Sequence, residues 1–188
     1  MYGNCSFSEE NPDTKIEMLT NLARSFRSKV DSALHEGLFS NDIVFNHFPR
    51  ACCGDTCYLL AEFLKQHGIQ TIYVCGTRLN QSHAWLVVKD ESIHLPVPQY
   101  YVMPDELKEI IKQYSGEIPK EPLVVLKYEL SDLADGILID VTADQFGEEP
   151  VYVGPMDRFH RKFDYDFAHD YNGFGTKRLS CLYSIITD

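Results

Sequence analysis

Ile16, Leu19, Leu22, Ala23, Phe26, Val30 and Leu34 recur at three- and four-residue steps, which puts them on one stripe of a helix. Asn11-Pro12 opens that helix, because proline is tolerated in a first turn, and Gly37 stops it. Residues 38–51 show no period and read as an irregular approach, with Pro49 steering Phe48 away from helix. A second stripe of Cys53, Cys57, Leu60, Ala61 and Leu64 predicts a helix from Cys53 to His67, closed by Gly68. Glu62, Lys65 and Gln66 fall on its watered side. Ile69 to Val74 then reads as a strand, Gly76 as the start of the following turn, and Ala84 to Val88 as the next strand.

From Ile93 to Pro122 the rhythm breaks. Pro96, Pro98, Pro104, Pro119 and Pro122 surround one short apolar period, Leu107, Ile110 and Ile111, which predicts a helix from about Asp105 to Tyr114. This stretch, about 92–122, reads as a proline-rich helical insertion in a single domain spanning 1–188. Leu123 to Tyr128, Ile137 to Val141 and Pro150 to Val153 are strand candidates. Phe159 to Tyr171 is aromatic without a clean period, and Cys181 to Ile186 reads as a closing strand. Helices ahead of the sheet, with more strands than helices, predict α+β. The links at Gly68-Ile69 and at Gly76–Ser82 are too short for crossover helices, so the strands should pair antiparallel.

The chain has 188 residues, enough for one real core. Its 17 basic against 28 acidic residues give a formal charge of -11, whose average field repels nucleic acid. The densest basic run, Arg158, His160, Arg161 and Lys162, reads as solvated surface. No apolar run reaches the length of a membrane span and no secretory leader is evident, so no membrane partner is expected and the cytoplasm is the expected compartment. Six cysteines in a chain of this size do not demand disulfides, which agrees with a reducing environment.

Chemistry concentrates in three places. Cys53 stands at the head of a helix, where free N–H groups and the dipole stabilise a thiolate. Gly54 beside it leaves room for a carbonyl substrate, and its N–H is a candidate oxyanion donor. Cys52 is a second nucleophile candidate and Cys57 a core residue; a bland reading makes Cys53 core as well. His83, at the entry to Ala84-Trp85-Leu86-Val87-Val88, is the candidate base, with Trp85 packed beside it to exclude water. Asp140 ends the apolar run Ile137-Leu138-Ile139 and must be paired if buried, so it is the candidate that orients His83. Asp144 is the fallback for that role. Asn46 is a candidate amide donor to the oxyanion, and Gln145 with Phe146 could line the mouth of the site. No Cys-x-x-Cys pair is present, so a zinc site with Cys75 or His83 would need distant ligands and none is expected. No EF-hand loop appears, and no cofactor is called for.

Cys53-Gly54-Asp55 opening a helix that closes at Gly68-Ile69, then Tyr73-Val74-Cys75-Gly76, His83-Ala84-Trp85 and Asp140-Val141-Thr142, resembles the transglutaminase-like branch of the papain-like cysteine enzymes. The resemblance covers about Arg50 to Thr142. It singles out Cys53 over Cys52, because the family nucleophile directly precedes such a Gly/Arg-Asp/Glu pair. It implies a papain-like core in which the nucleophile helix packs on an antiparallel sheet. It also implies a Cys53-His83-Asp140 triad that acts through a thioester. The long gap between His83 and Asp140, and Val141 where many members carry proline, are departures. Hydrolysis of a peptide, a protein glutamine or a small amide is the expected reaction. Deamidation or crosslinking of a protein glutamine is the first alternative, and an inactive binding or regulatory domain of the same fold the second.

Overall fold

The computed structural model describes residues 12–90, 93, 97–101, 104, 105, 108, 109 and 123–187. Helix α1 runs Pro12–His35 and α2 runs Cys53–Gln66. A hairpin of β1 (Thr71–Arg78) and β2 (Gln81–Val88) follows, then β3 (Val97–Tyr101) and β4 (Leu123–Lys127). The chain continues through a short α3 (Leu130–Leu133), β5 (Leu138–Asp140), β6 (Tyr152–Gly154) and β7 (Asp164–Asp170) to α4 (Lys177–Thr187). The main sheet has the order β6-β5-β2-β1-β7 with every described pairing antiparallel, while β3 and β4 pair separately. The architecture is α+β. No helix among the described residues is long and apolar enough to cross a membrane.

Strand alternation gives the main sheet two buried faces. Tyr73, Ala84, Leu86, Val88 and Ile139 pack with α1, α2 and α4 in one cluster. Ile72, Val74, Trp85, Val87 and Leu138 pack on the other side with Ile93, Tyr128, Leu133, Phe159 and Phe163. A strand buried on both faces carries an almost unbroken apolar run, which is what Ala84 to Val88 displays. The central position of β2 explains that pattern.

Several expectations need correction. Both hairpin strands run further than their apolar cores: Gly76 lies inside β1, and the turn falls at Leu79-Asn80, where Leu79 has a φ of 55°. His83 therefore sits inside the central strand β2 rather than at its entry. Cys181 to Ile186 is helix, not strand. Leu179, Leu182, Tyr183 and Ile186 are its buried residues, a helical spacing that the shorter window hides. Within the proline-rich stretch Val97–Tyr101 forms a strand, and Asp105, Lys108 and Glu109 are helical. The rest of the helix expected to Tyr114 lies outside the described residues.

Gly76 pairs with His83, and the pairing of β1 with β7 slips at Cys75/Gly76. A Cβ on Gly76 would stand 2.9 Å from the Asp164 carbonyl oxygen, 3.1 Å from Phe163 Cβ and 3.3 Å from Trp85 Cη2. The missing side chain lets β7 and the Trp85 ring close on the hairpin. Gly76→Ala is expected to cost about 1–3 kcal/mol through this overpacking, read as a lower midpoint in urea unfolding at unchanged slope. An unchanged midpoint would mean that β7 retreats at no cost.

Candidate active site

Ala51, with a φ of 56°, turns the chain sharply into α2. Cys52 is the N-cap residue and supplies no side-chain hydrogen bond to the helix end. The N–H groups of the first turn are thus left for another acceptor. Cys53 is half-buried, and its thiol is hydrogen-bonded to the His83 ring and approached by the N–H groups of Ala84 and Gly54. Burial pushes the thiol up, but the His83 hydrogen bond and charge, with the two N–H groups, outweigh it and bring Cys53 below the ordinary thiol range. Cys52 is buried and lifted by desolvation to about 12, and buried Cys57 rises for the same reason. Gly54 carries no side chain where a Cβ would stand 3.1 Å from the Tyr73 hydroxyl.

His83 is fully buried on β2, enclosed by the rings of Trp85, Phe146, Phe159 and Phe163 at centroid distances of 5.0 to 5.9 Å. Leu86 pairs with Ile139 and Val87 with Leu138, so Asp140 falls across from Trp85 and diagonally toward His83 on one face. His83 Nε2 donates to Asp140 Oδ2 at 2.6 Å, which leaves Nδ1 for the sulfur. Burial disfavours charge on the ring, yet hydrogen bonds to Asp140 and Cys53 overcome it and lift His83 to about 9. Asp140 would be raised by its burial, but donors from His160 and His83 hold it well below the usual carboxylate range. Thr142 caps the other oxygen, Oδ1, through its N–H at 2.8 Å and its hydroxyl at 3.1 Å. That local turn is what an Asp-x-Thr sequence encodes at a strand end.

His160 was missed by the sequence reading, which placed it on a solvated basic surface. It is buried at 1% exposure, with Nε2 3.1 Å from Asp140 Oδ2 and Nδ1 2.7 Å from Asp157 Oδ1. The available signal was the flanking pair Phe159 and Phe163, both buried, with Asp157 three residues ahead. Asp144, the fallback carboxylate, is engaged elsewhere: Arg27 holds it through Nη1 at 3.1 Å and Nη2 at 2.7 Å, and also donates to the Val141 carbonyl at 2.9 Å. Gln145 lies against the site, its Nε2 at 3.5 Å from His83 Nδ1 and 3.0 Å from the Thr142 carbonyl. Asn46 is exposed in the 3-10 turn Phe45–His47, and among the described residues its side chain has no hydrogen bond to this cluster. Trp85 packs beside His83 with ring centroids 5.9 Å apart, its Nε1 has no hydrogen-bond partner among the described residues, and Trp85 and His160 line a cavity of about 420 Å³.

His83, Asp140 and His160 each offer a ligand atom within 4.8 Å of the others. The closest pair stands 2.6 Å apart, tighter than the roughly 3 Å between neighbouring ligands about 2.1 Å from one ion. Hydrogen bonds account for this spacing without an ion. The five described cysteines are all free. No family model, curated protein or solved structure matches the chain.

Near neutral pH, iodoacetamide is expected to alkylate Cys53 well before Cys52 and Cys57, which should react only after unfolding. The rate at Cys53, followed by peptide mass spectrometry, should rise with pH through a midpoint below the roughly 8.5 of a free thiol. Equal slow labelling of all three would make Cys53 a packing residue.

Proposed function

We propose that this protein is a cysteine hydrolase that cleaves a carboxamide or peptide bond through a thioester on Cys53, with a papain-like, transglutaminase-like core. One observation carries the reading: a half-buried thiol at an uncapped helix start is hydrogen-bonded to a buried histidine, and that histidine is bonded at 2.6 Å to a buried carboxylate. The ordered motifs Cys53-Gly54-Asp55, His83-Ala84-Trp85 and Asp140-Val141-Thr142 lend it support.

With Cys53 brought down and His83 lifted to about 9, the resting pair is thiolate and imidazolium in the window between them. The thiolate attacks the amide carbon, and the oxyanion draws on the N–H groups at the start of α2. His83 gives its proton to the leaving amine as the C–N bond breaks. Water then attacks the thioester carbonyl as His83 takes one of its protons, and the C–S bond breaks to release a carboxylic acid and restore the Cys53 thiolate beside the His83 imidazolium. A protein glutamine would lose ammonia in the first half of the same sequence, and an amine in place of water would give a crosslink. Above about 9 the leaving-group proton is lost, so turnover should fall on the basic side.

Asp140→Asn is expected to cut turnover on a peptide anilide by a factor on the order of 10²–10³, because an amide cannot hold the His83 proton in the same way. Asp144→Asn should lose less than about tenfold in turnover and about 1–2 kcal/mol of stability, since it weakens a hold on Arg27. Acid quenching should trap an acyl adduct on Cys53 that Cys53→Ala lacks. If Asp144→Asn is the more damaging change with both proteins equally folded, or if no adduct forms on any peptide or glutamine amide, the reading fails.

A further inference from the structure

We propose that His160 is a positioning residue for the site, which fixes Asp140 from behind and is itself anchored by Asp157, so that the hydrogen-bonded chain runs Cys53–His83–Asp140–His160–Asp157. The proposal rests on the cysteine-hydrolase reading for its purpose, but its geometry stands apart from any turnover. Asp140 Oδ2 accepts from two imidazoles at once, at 2.6 Å from His83 and 3.1 Å from His160. Asp157 Oδ1 accepts from His160 twice, from the ring Nδ1 at 2.7 Å and from the backbone N–H at 2.9 Å.

The ring has little freedom to leave this position. Trp85, Tyr152 and Phe159 stand at centroid distances of 5.2, 5.6 and 4.9 Å from it, and the His83 ring lies at 6.1 Å, nearly parallel. The ionisable groups bonded to His160 among the described residues are Asp140 and Asp157. Remove His160 and Oδ2 keeps one donor, while Thr142 still grips Oδ1. The carboxylate can then pivot about that grip, and His83 loses the fixed acceptor that sustains its charge beside Cys53.

The test compares His160→Gln, His160→Asn and His160→Ala with wild type. A glutamine amide nitrogen overlays Nε2 and can still donate to Asp140; that of asparagine overlays Nδ1 and cannot. Two readouts are taken: the proton on His83 Nε2 in ¹H–¹⁵N spectra, and the pH midpoint of Cys53 alkylation. His160→Gln should keep the low-field His83 proton and the wild-type midpoint. His160→Asn and His160→Ala should lose that signal and move the midpoint upward by about one unit, a tenfold loss of thiolate on the acid side. Asp157→Ala should fall between. If Gln and Asn are indistinguishable, or if all variants lose stability while both readouts stay with wild type, His160 is only packing and the proposal is overturned. Absence of turnover on every amide, with the readouts behaving as expected, would remove the hydrolase reading and leave this one in place. A wild-type His83 without a low-field proton would remove this one whatever the turnover.

Discussion

A single buried anion organises this molecule. Asp140 is 1% exposed, and a carboxylate taken out of water without partners is among the costliest things a core can hold. Four donors meet it, from His83 on β2, from His160 in the segment before β7, and from the N–H and hydroxyl of Thr142 in its own turn. Three separate stretches of chain must therefore arrive together for the fold to close at this point. The neighbouring segment is pinned from the opposite side of the sheet, because Arg27 of α1 reaches both the Val141 carbonyl and Asp144. Removing one donor from such a cluster costs more than its own bond, since the charge remains.

The start of α2 shows the reverse economy. A serine or aspartate at the N-cap would add about 1 kcal/mol to the helix, yet Cys52 stands there with no cap bond. Of the N–H groups so spared, that of Gly54 approaches the Cys53 sulfur, joined by the Ala84 N–H from β2. Cap stability is forgone at this helix end, and the first-turn N–H groups stay open to an acceptor other than a capping side chain. Arg178 compensates nearby, bonding Asp42 at 2.7 Å and Asp55 at 2.6 Å and tying α4 to the helix start.

The two long helices, the central hairpin and the meeting of Cys53, His83 and Asp140 were legible because each leaves a periodic or positional trace. A stripe such as Leu19, Ala23, Phe26 and Val30 reads as one helix face, and an aspartate closing Ile137-Leu138-Ile139 must be paired if it is buried. His160 left no such trace. Its neighbours Arg158, Arg161 and Lys162 are charged, and only long-range closure turns one member of that run inward. The last helix was hidden by composition, since Cys181-Leu182-Tyr183-Ser184-Ile185-Ile186 suits a strand until Lys177 to Ser180 are included. Gly76 misled for a related reason: glycine marks both turns and close approaches, and here Asp164, Phe163 and Trp85 required the approach.

Trp85 is the sole tryptophan in the chain, and it lies buried with His83 on one side at 5.9 Å and His160 on another at 5.2 Å. All indole emission from this protein therefore originates beside its ionisable centre. The chain carries a built-in optical reporter: water reaching the heart of the sheet would redden the emission, and a change of charge on either imidazole would alter its yield without any added dye.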